Sequence, residues 1–332
     1  MKIGIVQPVV GSIGGNDTVL HKMISTLKNH DVTLFTFSKN SIDGIKVQSK
    51  IPVKLPLFGM YQRLFIPSFD YSEMDVIIAN GIIPKTDKRL IVYDQNQMAD
   101  SLSGTLSSKY NHGFWKLYSL PYRMMQKKET PKAEYYSCSQ YSADELSKMI
   151  NQPVGVLYPG IDLSEFYITE KRIHACMVAR ISPEKNLEFA VRVLNQMPFD
   201  SVIFGNVTRA NMPYFARLKR MANSNVTIRS GDRDDLKQLL AESRIYFSVS
   251  RETFGISTVE AIASGCLPIV PDNSAHPEVV PIPELRYKED DIQSAMSCIA
   301  NADYTNLELL QNHIHKFDIK RFEEGLTSLI KT

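Results

Sequence analysis

The segment from residue 244 to residue 266 limits the fold of this chain more than any other. It begins with Arg-Ile-Tyr-Phe-Ser-Val-Ser (244–250), which is rich in β-branched and aromatic residues and predicts a buried strand. A turn that contains Gly255 follows, and the apolar residues after it predict a helix. A strand, a glycine turn and a helix in this order direct the first helical N–H groups out of the carboxyl edge of a parallel sheet, which favours a bound phosphate.

Two glutamates in this segment, Glu252 and Glu260, lie eight positions apart. At about 100° per residue, Glu260 falls in the same helical sector as Ile256, Val259 and Ala263. A carboxylate on a packing face is costly to bury without a partner. Two interpretations follow: Glu260 reaches into a cleft, or it has a structural role in which it pairs with a neighbouring cation or lies at a helix edge.

Strand-like and helix-like segments alternate along the chain, which is typical of an α/β fold with parallel sheets. The length of 332 residues is enough for two hydrophobic cores, and the Pro159-Gly160 turn is the predicted hinge. We predict helices that include 186–197, 234–243 and 321–331. The predicted strands are 2–6, 32–37, 75–79, 90–93, 134–138, 175–179, 201–205, 226–229, 244–250 and 267–270.

Composition excludes several classes of protein. The net charge of +2 argues against a general nucleic-acid binder. The four cysteines have no C-x-x-C spacing, so neither a disulfide framework nor a zinc site is expected. No segment has about eighteen consecutive uncharged apolar residues, and no secretory signal precedes the strand that begins at Lys2. We therefore expect a cytoplasmic enzyme, or one at the cytoplasmic face of a membrane.

Three motifs carry a resemblance to a known family. The segment 252–265 fits the pattern E-x-F-G-[IL]-x-x-x-E-A-x-A-x-G, and Leu-Tyr-Pro-Gly-Ile-Asp-Leu-Ser-Glu-Phe (157–166) and Val-Ala-Arg-Ile-Ser-Pro-Glu-Lys-Asn-Leu (178–187) match two further family segments. Together they are similar to the retaining, nucleotide-sugar-dependent glycosyltransferases of family 4. The resemblance implies the GT-B fold, an α/β architecture of two Rossmann-like domains that face each other across a deep cleft.

The resemblance also implies the domain organisation. Residues 1–158 would form the acceptor-side domain and residues 159–315 the nucleotide-sugar-binding domain. Residues 316–332 would form a C-terminal helix that returns to the first domain.

The site residues expected from the resemblance lie in both domains. Arg180 and Lys185 would neutralise the departing diphosphate, Glu252 would contact the donor sugar, and Glu260 would hold ribose hydroxyls. The catalytic set is therefore Arg180, Lys185 and Glu252. The donor-binding set is Gly14, Gly15, Phe254, Gly255, Ile256, Ser257 and Glu260.

Two departures from the family pattern leave alternatives open. Many relatives place a histidine after the strand at 90–93, whereas this chain has Asp94, Asn96 and Gln97, which either bind sugar hydroxyls on the acceptor side or cap the next helix. His276 lies in a loop that is usually made of small residues, and it either touches the donor or is a structural or exposed loop histidine.

Metal dependence can also be predicted. The sequence Asp232-Arg233-Asp234 spells D-x-D, a manganese motif of another glycosyltransferase fold, but its position before a predicted helix indicates a helix cap. Arg180 and Lys185 supply the charge that a metal would supply. We therefore expect no cofactor beyond the substrate nucleotide sugar and no essential metal.

The acceptor side is less clear. Residues 109–132 contain six lysines and arginines against one acid, interleaved with aromatic residues. This composition fits an anionic membrane surface or a lipid-linked phosphate acceptor, and it equally fits an amphipathic helix whose aromatic residues pack in the core.

The residues of the 252–265 motif most resemble those of mannosyltransferases that act in lipid-linked glycan assembly. The first expectation is therefore transfer of mannose from GDP-mannose to a glycan or lipid-linked acceptor. A UDP-sugar-dependent transferase is the alternative, and a catalytically weak nucleotide-sugar-binding partner of another transferase is a second one. Sugar-nucleotide epimerisation would need acid and base groups that the sequence does not identify.

Overall fold

The computed structural model describes residues 1–7, 10, 15–38, 42, 44–49, 69–80, 83–95, 113–114, 116–118, 120 and 132–331. The chain divides into two units. Unit 1 consists of Met1–Pro159 and Phe322–Thr332, and unit 2 consists of Gly160–Arg321.

The first sheet, in unit 1, contains seven described strands, and every pair of neighbours is parallel. The strand order is β3-β2-β1-β4-β5-β6-β7. Runs of buried apolar residues such as Val76–Ala79 are what a parallel sheet covered on both faces requires. The strands are β1 (Lys2–Val6), β2 (Asp31–Thr36), β3 (Lys46–Ser49), β4 (Val76–Ala79), β5 (Arg89–Asp94), β6 (Glu134–Ser137) and β7 (Val154–Val156).

The second sheet, in unit 2, has six described strands in the order β10-β9-β8-β11-β12-β13, again all parallel. The order reverses between β8 and β11, where Ile245 is in register with Ala175. Ligands of open α/β sheets bind at such a switch point, beyond the carboxyl ends of the strands. The strands are β8 (Ile173–Val178), β9 (Ser201–Phe204), β10 (Val226–Arg229), β11 (Ser243–Phe247), β12 (Leu267–Pro271) and β13 (Arg286–Tyr287).

Seven of the α-helices whose bounds lie among the described residues fall between two strands, and three follow β13. In chain order these helices are α1 (Gly15–Thr26), α2 (Gln140–Ile150), α3 (Leu187–Leu194), α4 (Met212–Met221), α5 (Arg233–Glu242), α6 (Ile256–Ala263), α7 (His276–Val279), α8 (Ile292–Ala300), α9 (Asn306–Ile314) and α10 (Ile319–Lys331).

The last helix, α10, buries one face. Phe322, Leu326 and Ile330 recur every four residues and are each about 1 % exposed. The Arg89 guanidinium of β5 donates to the carbonyl oxygens of Leu329 (2.8 Å) and Ile330 (3.3 Å) at the C-terminal end of α10. This cation therefore satisfies helix carbonyls that have no partner within the helix.

The predicted α/β class with two Rossmann-like parallel sheets is confirmed. Each predicted strand is present within a few residues of its predicted bounds, although β11 ends at Phe247 and not at residue 250. The sequence missed β3, β7 and β13, which are four residues long or shorter.

Candidate functional site

The candidate site lies at the carboxyl edge of the second sheet. Because all its strands are parallel, the loops after β8, β10, β11 and β12 leave from the same edge. These four loops and the helices that follow them carry the predicted cations, the two glutamates and His276, so that one edge of unit 2 holds most of the residues that the sequence singled out.

The loop after β8 presents the two cations differently. The Arg180 side chain is 55 % exposed, and its Nη2 lies 3.3 Å from Glu184 Oε1. Lys185 ends a short 3-10 turn, and its Nζ lies 2.7 Å from Glu252 Oε1, with both side chains about three-quarters buried. The structure therefore joins two predicted catalytic residues, Lys185 and Glu252, in one ion pair.

Asn186 stands at the start of α3 but does not cap it with its side chain. Its backbone is left-handed (φ 51°), and its Nδ2 donates instead to Asp290 Oδ1 at 3.0 Å. The tight change of direction from the 3-10 turn into α3 uses the left-handed conformation, which asparagine tolerates better than most residues.

The turn before α6 depends on Gly255, whose φ is +97°. A side chain at this φ would be strained, which explains the glycine. The first N–H groups of α6, at Ile256 and Ser257, have no partner within the helix by its geometry. They are therefore available to an anion at this edge.

Two of the predicted donor-binding side chains are already engaged. Ser257 Oγ lies 2.8 Å from the hydroxyl of the buried Tyr246, and burial raises the pKa of that phenol well above its ordinary value. The Phe254 ring is 2 % exposed and packs edge-on against Phe317 at 4.9 Å. Ser257 can therefore offer its backbone to a ligand, whereas Phe254 supports the turn by packing.

Glu260 is 5 % exposed and accepts a hydrogen bond from Arg233 Nη2 at 2.8 Å. Arg233 is half exposed, lies 5.4 Å from the centre of the Phe166 ring, and is 3.9 Å from Glu165 Oε2. Of the two interpretations that the sequence left open, the structure shows the pairing with a cation. The sequence did not assign Arg233 to the site, because no local pattern shows that α5 brings it beside α6.

The D-x-D sequence forms a helix cap, as predicted. The Asp232 side chain accepts from the N–H groups of Asp234 (3.0 Å) and Asp235 (2.9 Å), and the Asp235 side chain accepts from the N–H of Asp232. This reciprocal pair is a capping box at the start of α5. Within the ranges that the structure describes, no three His, Cys, Asp or Glu residues are grouped so that they could hold a metal ion.

His276 is fully buried, and its Nε2 lies 2.9 Å from the carbonyl oxygen of Ser250. Burial lowers the pKa of this imidazole, because its charged form would lose hydration. The ring is therefore neutral near pH 7. His276 therefore makes a structural contact with Ser250, in the loop that carries Glu252.

Gly205, at the end of β9, makes a close approach that the sequence did not indicate. A Cβ atom there would lie 1.7 Å from the carbonyl oxygen of Ala179, at the start of the Arg180 loop. Only glycine allows this approach, so Gly205 helps to set the course of the loop that carries the cations.

Unit 1 contributes fewer described site residues. Gly15 is the first residue of α1, and Asp94 ends β5 with 1 % exposure. At the switch point between β1 and β4, Asn80 Nδ2 donates to Gln7 Oε1 at 2.7 Å, and both side chains are buried. The sequence missed this amide pair, which only the strand order brings together.

Several predictions lie outside the described residues. They are Gly14, Asn96, Gln97 and most of the basic segment 109–132.

In the described part of the chain, no helix combines the length and the apolar character needed to cross a membrane.

Residues 163–282 match the family model of glycosyl transferases group 1. This region includes Arg180, Lys185, Glu252 and Glu260, as well as Arg233 and His276. A search of curated protein sequences found no match to this chain.

Solved structures resemble the whole chain. HepE from Anabaena, in complex with UDP and glucose, has a TM-score of 0.76 at 16 % identity and covers 100 % of both chains. A glycosyltransferase from Rickettsia africae ESF-5 has a TM-score of 0.73 at 14 % identity, with 99 % of this chain and 97 % of that chain covered. WaaG, a glycosyltransferase involved in lipopolysaccharide biosynthesis, has a TM-score of 0.69 at 14 % identity, with 99 % of each covered.

At these identities the structural likeness establishes the fold and nothing finer. The chain therefore has the GT-B fold, and the match to the glycosyl transferases group 1 model lies within its second unit.

Proposed function

We propose that this protein is a retaining glycosyltransferase that moves a sugar from a nucleoside diphosphate donor to a glycan or lipid-linked acceptor. One observation carries the proposal: the Lys185–Glu252 pair (2.7 Å) and the Arg233–Glu260 pair (2.8 Å) lie at the same sheet edge as the free helical N–H groups at the start of α6. This edge belongs to the region that matches the glycosyltransferase family model.

The charges at this edge suit the reaction. When the bond to the sugar breaks, negative charge collects on the leaving diphosphate, and the α6 N-terminus, Arg180 and Lys185 are the groups that would stabilise it. Arg180 is exposed enough to turn towards a ligand, and the Lys185 ammonium has three hydrogens, so it can keep Glu252 and still donate to a phosphate oxygen. One such donor is worth about 3 kcal/mol of activation free energy.

The carboxylates would serve the other parts of the donor. Glu260, held by Arg233, would accept from ribose hydroxyls, and Glu252 would face the sugar and stabilise the positive charge that develops at the anomeric carbon. The leaving phosphate would take the acceptor proton. Because the cations carry the charge on the diphosphate, we propose a reaction that does not require a metal ion.

Two proposals differ in the base of the donor nucleotide. HepE is bound to UDP and to UDP-glucose in its structures, which favours a UDP-sugar. The residue sequence of the 252–265 motif favours GDP-mannose instead. We propose the UDP-sugar first and keep GDP-mannose as the competing donor, with the acceptor located at the cytoplasmic face of a membrane.

The test is thermal stabilisation of the purified protein by UDP, GDP, ADP and their sugars in EDTA. A ligand that binds the native state raises the melting temperature by mass action. We expect one base to stabilise selectively, and UDP or GDP to be released when the matching sugar nucleotide is incubated with the protein, with water accepting the sugar. If no nucleotide shifts the melting temperature, with or without added Mg²⁺ or Mn²⁺, the proposed function is wrong.

A further inference from the structure

The loop that follows β12 surrounds Glu252 with hydrogen bonds. The Glu252 N–H donates to Ser274 Oγ at 3.1 Å, and the Glu252 carbonyl accepts from the N–H of Ala275 at 3.1 Å. Ser274 itself adopts a left-handed backbone (φ 49°), which non-glycine residues rarely do. This loop therefore fixes the backbone of Glu252 on both sides.

The Glu252 side chain is fixed by a second set of contacts. Its Oε1 accepts from Ser250 Oγ and from Lys185 Nζ, each at 2.7 Å. Ser250 thus holds the carboxylate with its hydroxyl, and the position of the Ser250 backbone decides where that hydroxyl points.

His276 holds the Ser250 backbone. A carbonyl oxygen can only accept, so His276 Nε2 carries the hydrogen in its 2.9 Å contact with the Ser250 carbonyl. The other ring nitrogen, Nδ1, is buried and has no hydrogen-bond partner among the described residues. A buried acceptor without a partner destabilises a fold, so a histidine is a poor choice for packing alone at this position.

We propose that His276 is a positioning residue for Glu252. Through the Ser250 carbonyl and hydroxyl, and together with Ser274 of the preceding loop, it sets the place of the Glu252 carboxylate. This inference rests on the proposed function and deepens it, because it adds a residue that acts on the sugar end of the donor site without touching the substrate.

The proposal separates two properties of the site. The nucleotide would bind at the α6 N-terminus, Arg180, Lys185 and Glu260, whereas the hydrogen bond of His276 goes to the Ser250 carbonyl. Loss of the His276 hydrogen bond should therefore reduce the rate of sugar transfer and leave the affinity for the free nucleotide unchanged. A residue needed only for folding would change both or neither.

The experiment compares His276→Met with His276→Gln. Methionine fills a similar volume without an N–H group, whereas the glutamine side-chain amide can still donate to the Ser250 carbonyl. For each variant we would measure the Kd of UDP and the rate of UDP release from UDP-glucose, with GDP and GDP-mannose in a parallel series.

We expect kcat of His276→Met to fall at least tenfold while its Kd for the nucleotide stays within twofold of wild type. His276→Gln should recover most of kcat. If kcat is unchanged in His276→Met, if Kd rises as much as kcat falls, or if glutamine is no better than methionine, the proposal is wrong.

A second variant covers the case in which His276→Met does not fold. Ser274→Ala removes the acceptor of the Glu252 N–H and should lower kcat with the same unchanged nucleotide Kd. Its matched control is Ser294→Ala, because Ser294 Oγ also accepts a backbone N–H, from Lys288 at 3.0 Å, but has no described contact with Glu252. Equal kcat in the two serine variants would also overturn the proposal.

These outcomes are distinguishable from failure of the proposed function. A wild-type protein that binds no nucleotide refutes the transferase itself. A wild-type protein that binds and turns over a donor, with unaffected His276 and Ser274 variants, refutes only the positioning role.

Discussion

Arg233 Nη2 lies 2.8 Å from Glu260 Oε1, and this pair joins the first turn of α5 to the middle of α6. The two residues differ in environment, since the Arg233 side chain is 48 % exposed and that of Glu260 only 6 %. The carboxylate is thus held by a cation that remains open to solvent. A ligand at this edge would meet the carboxylate and the guanidinium together.

Replacement of Arg233 by Ala should therefore affect both stability and binding. Loss of a hydrogen bond to a charged, buried carboxylate costs about 1–3 kcal/mol, which should appear as a lower free energy of unfolding in urea. Nucleotide affinity should fall as well, because Glu260 loses its fixed position. The control is Arg217→Ala, since Arg217 forms a surface pair with Glu188 (3.2 Å) and should change stability by less than about 0.5 kcal/mol.

Lys185 and Glu252 should act as one unit in catalysis. Each single replacement, Lys185→Ala or Glu252→Gln, should lower kcat by about 10²–10³-fold, the effect typical of losing one preorganised group. The double variant should be little worse than either single one, because groups in direct contact are not additive. Rates of UDP or GDP release would show this, and strictly multiplicative losses would contradict the coupling.

Arg180 should matter for activity and not for stability. Its partner Glu184 is 57 % exposed, and ion pairs between exposed groups contribute about 0–1 kcal/mol. Arg180→Ala should therefore melt at nearly the wild-type temperature while turnover falls at least tenfold. Arg172→Ala, which removes a similar exposed pair with Glu170 at 2.9 Å, is the control for both measurements. If Arg180→Ala turns over substrate at the wild-type rate, Arg180 is not part of the site.

Arg89 should hold the C-terminal end of α10. Its guanidinium pairs with both carboxylate oxygens of Glu134 (2.7 and 3.0 Å), and this hydrogen bonding raises the pKa of Arg89. Arg89→Ala leaves the carbonyls of Leu329 and Ile330 without this donor and should lower stability by about 1–3 kcal/mol. Amide hydrogen exchange should increase first near residue 330, whereas Lys148→Ala, at an exposed pair with Glu145, should change nothing.

Stability should fall in mild acid because of His276. Burial lowers its pKa below the ordinary value of 6.5, so the unfolded chain binds a proton that the native state resists. The resulting stabilisation is fully present above about pH 6.5 and is lost as the pH falls below that value. Urea midpoints at pH 7.5 and 5.5 would measure it.

His276→Gln should reduce this difference between the two midpoints but not remove it. Burial also lowers the pKa values of His174 and His313, which contribute in the same direction. An undiminished pH dependence in His276→Gln would show that His276 does not carry the effect.

Where local patterns were strong, the sequence was sufficient. The strand 244–250 and the helix after Gly255 could be predicted because apolar residues and a glycine turn occur in one continuous segment, and β11 and α6 lie there. The same holds for the Asp232 cap, whose partner Asp235 is three residues away. The segment 286–287, by contrast, is too short to show the two-residue alternation of a strand. It is a strand, β13, only because β12 pairs with it.

The sequence by itself predicted the α/β class and most of the strands, and it singled out the two glutamates and two cations as candidates. The tertiary structure decided which of them meet. Lys185 and Glu252 are 67 positions apart, Arg233 and Glu260 are 27, and His276 and Ser250 are 26. Such contacts follow from strand order and from the close approach at Gly205, and no local pattern encodes them. The physical reason is that a parallel sheet collects the loops of distant segments at one edge, so the site forms only when the sheet does.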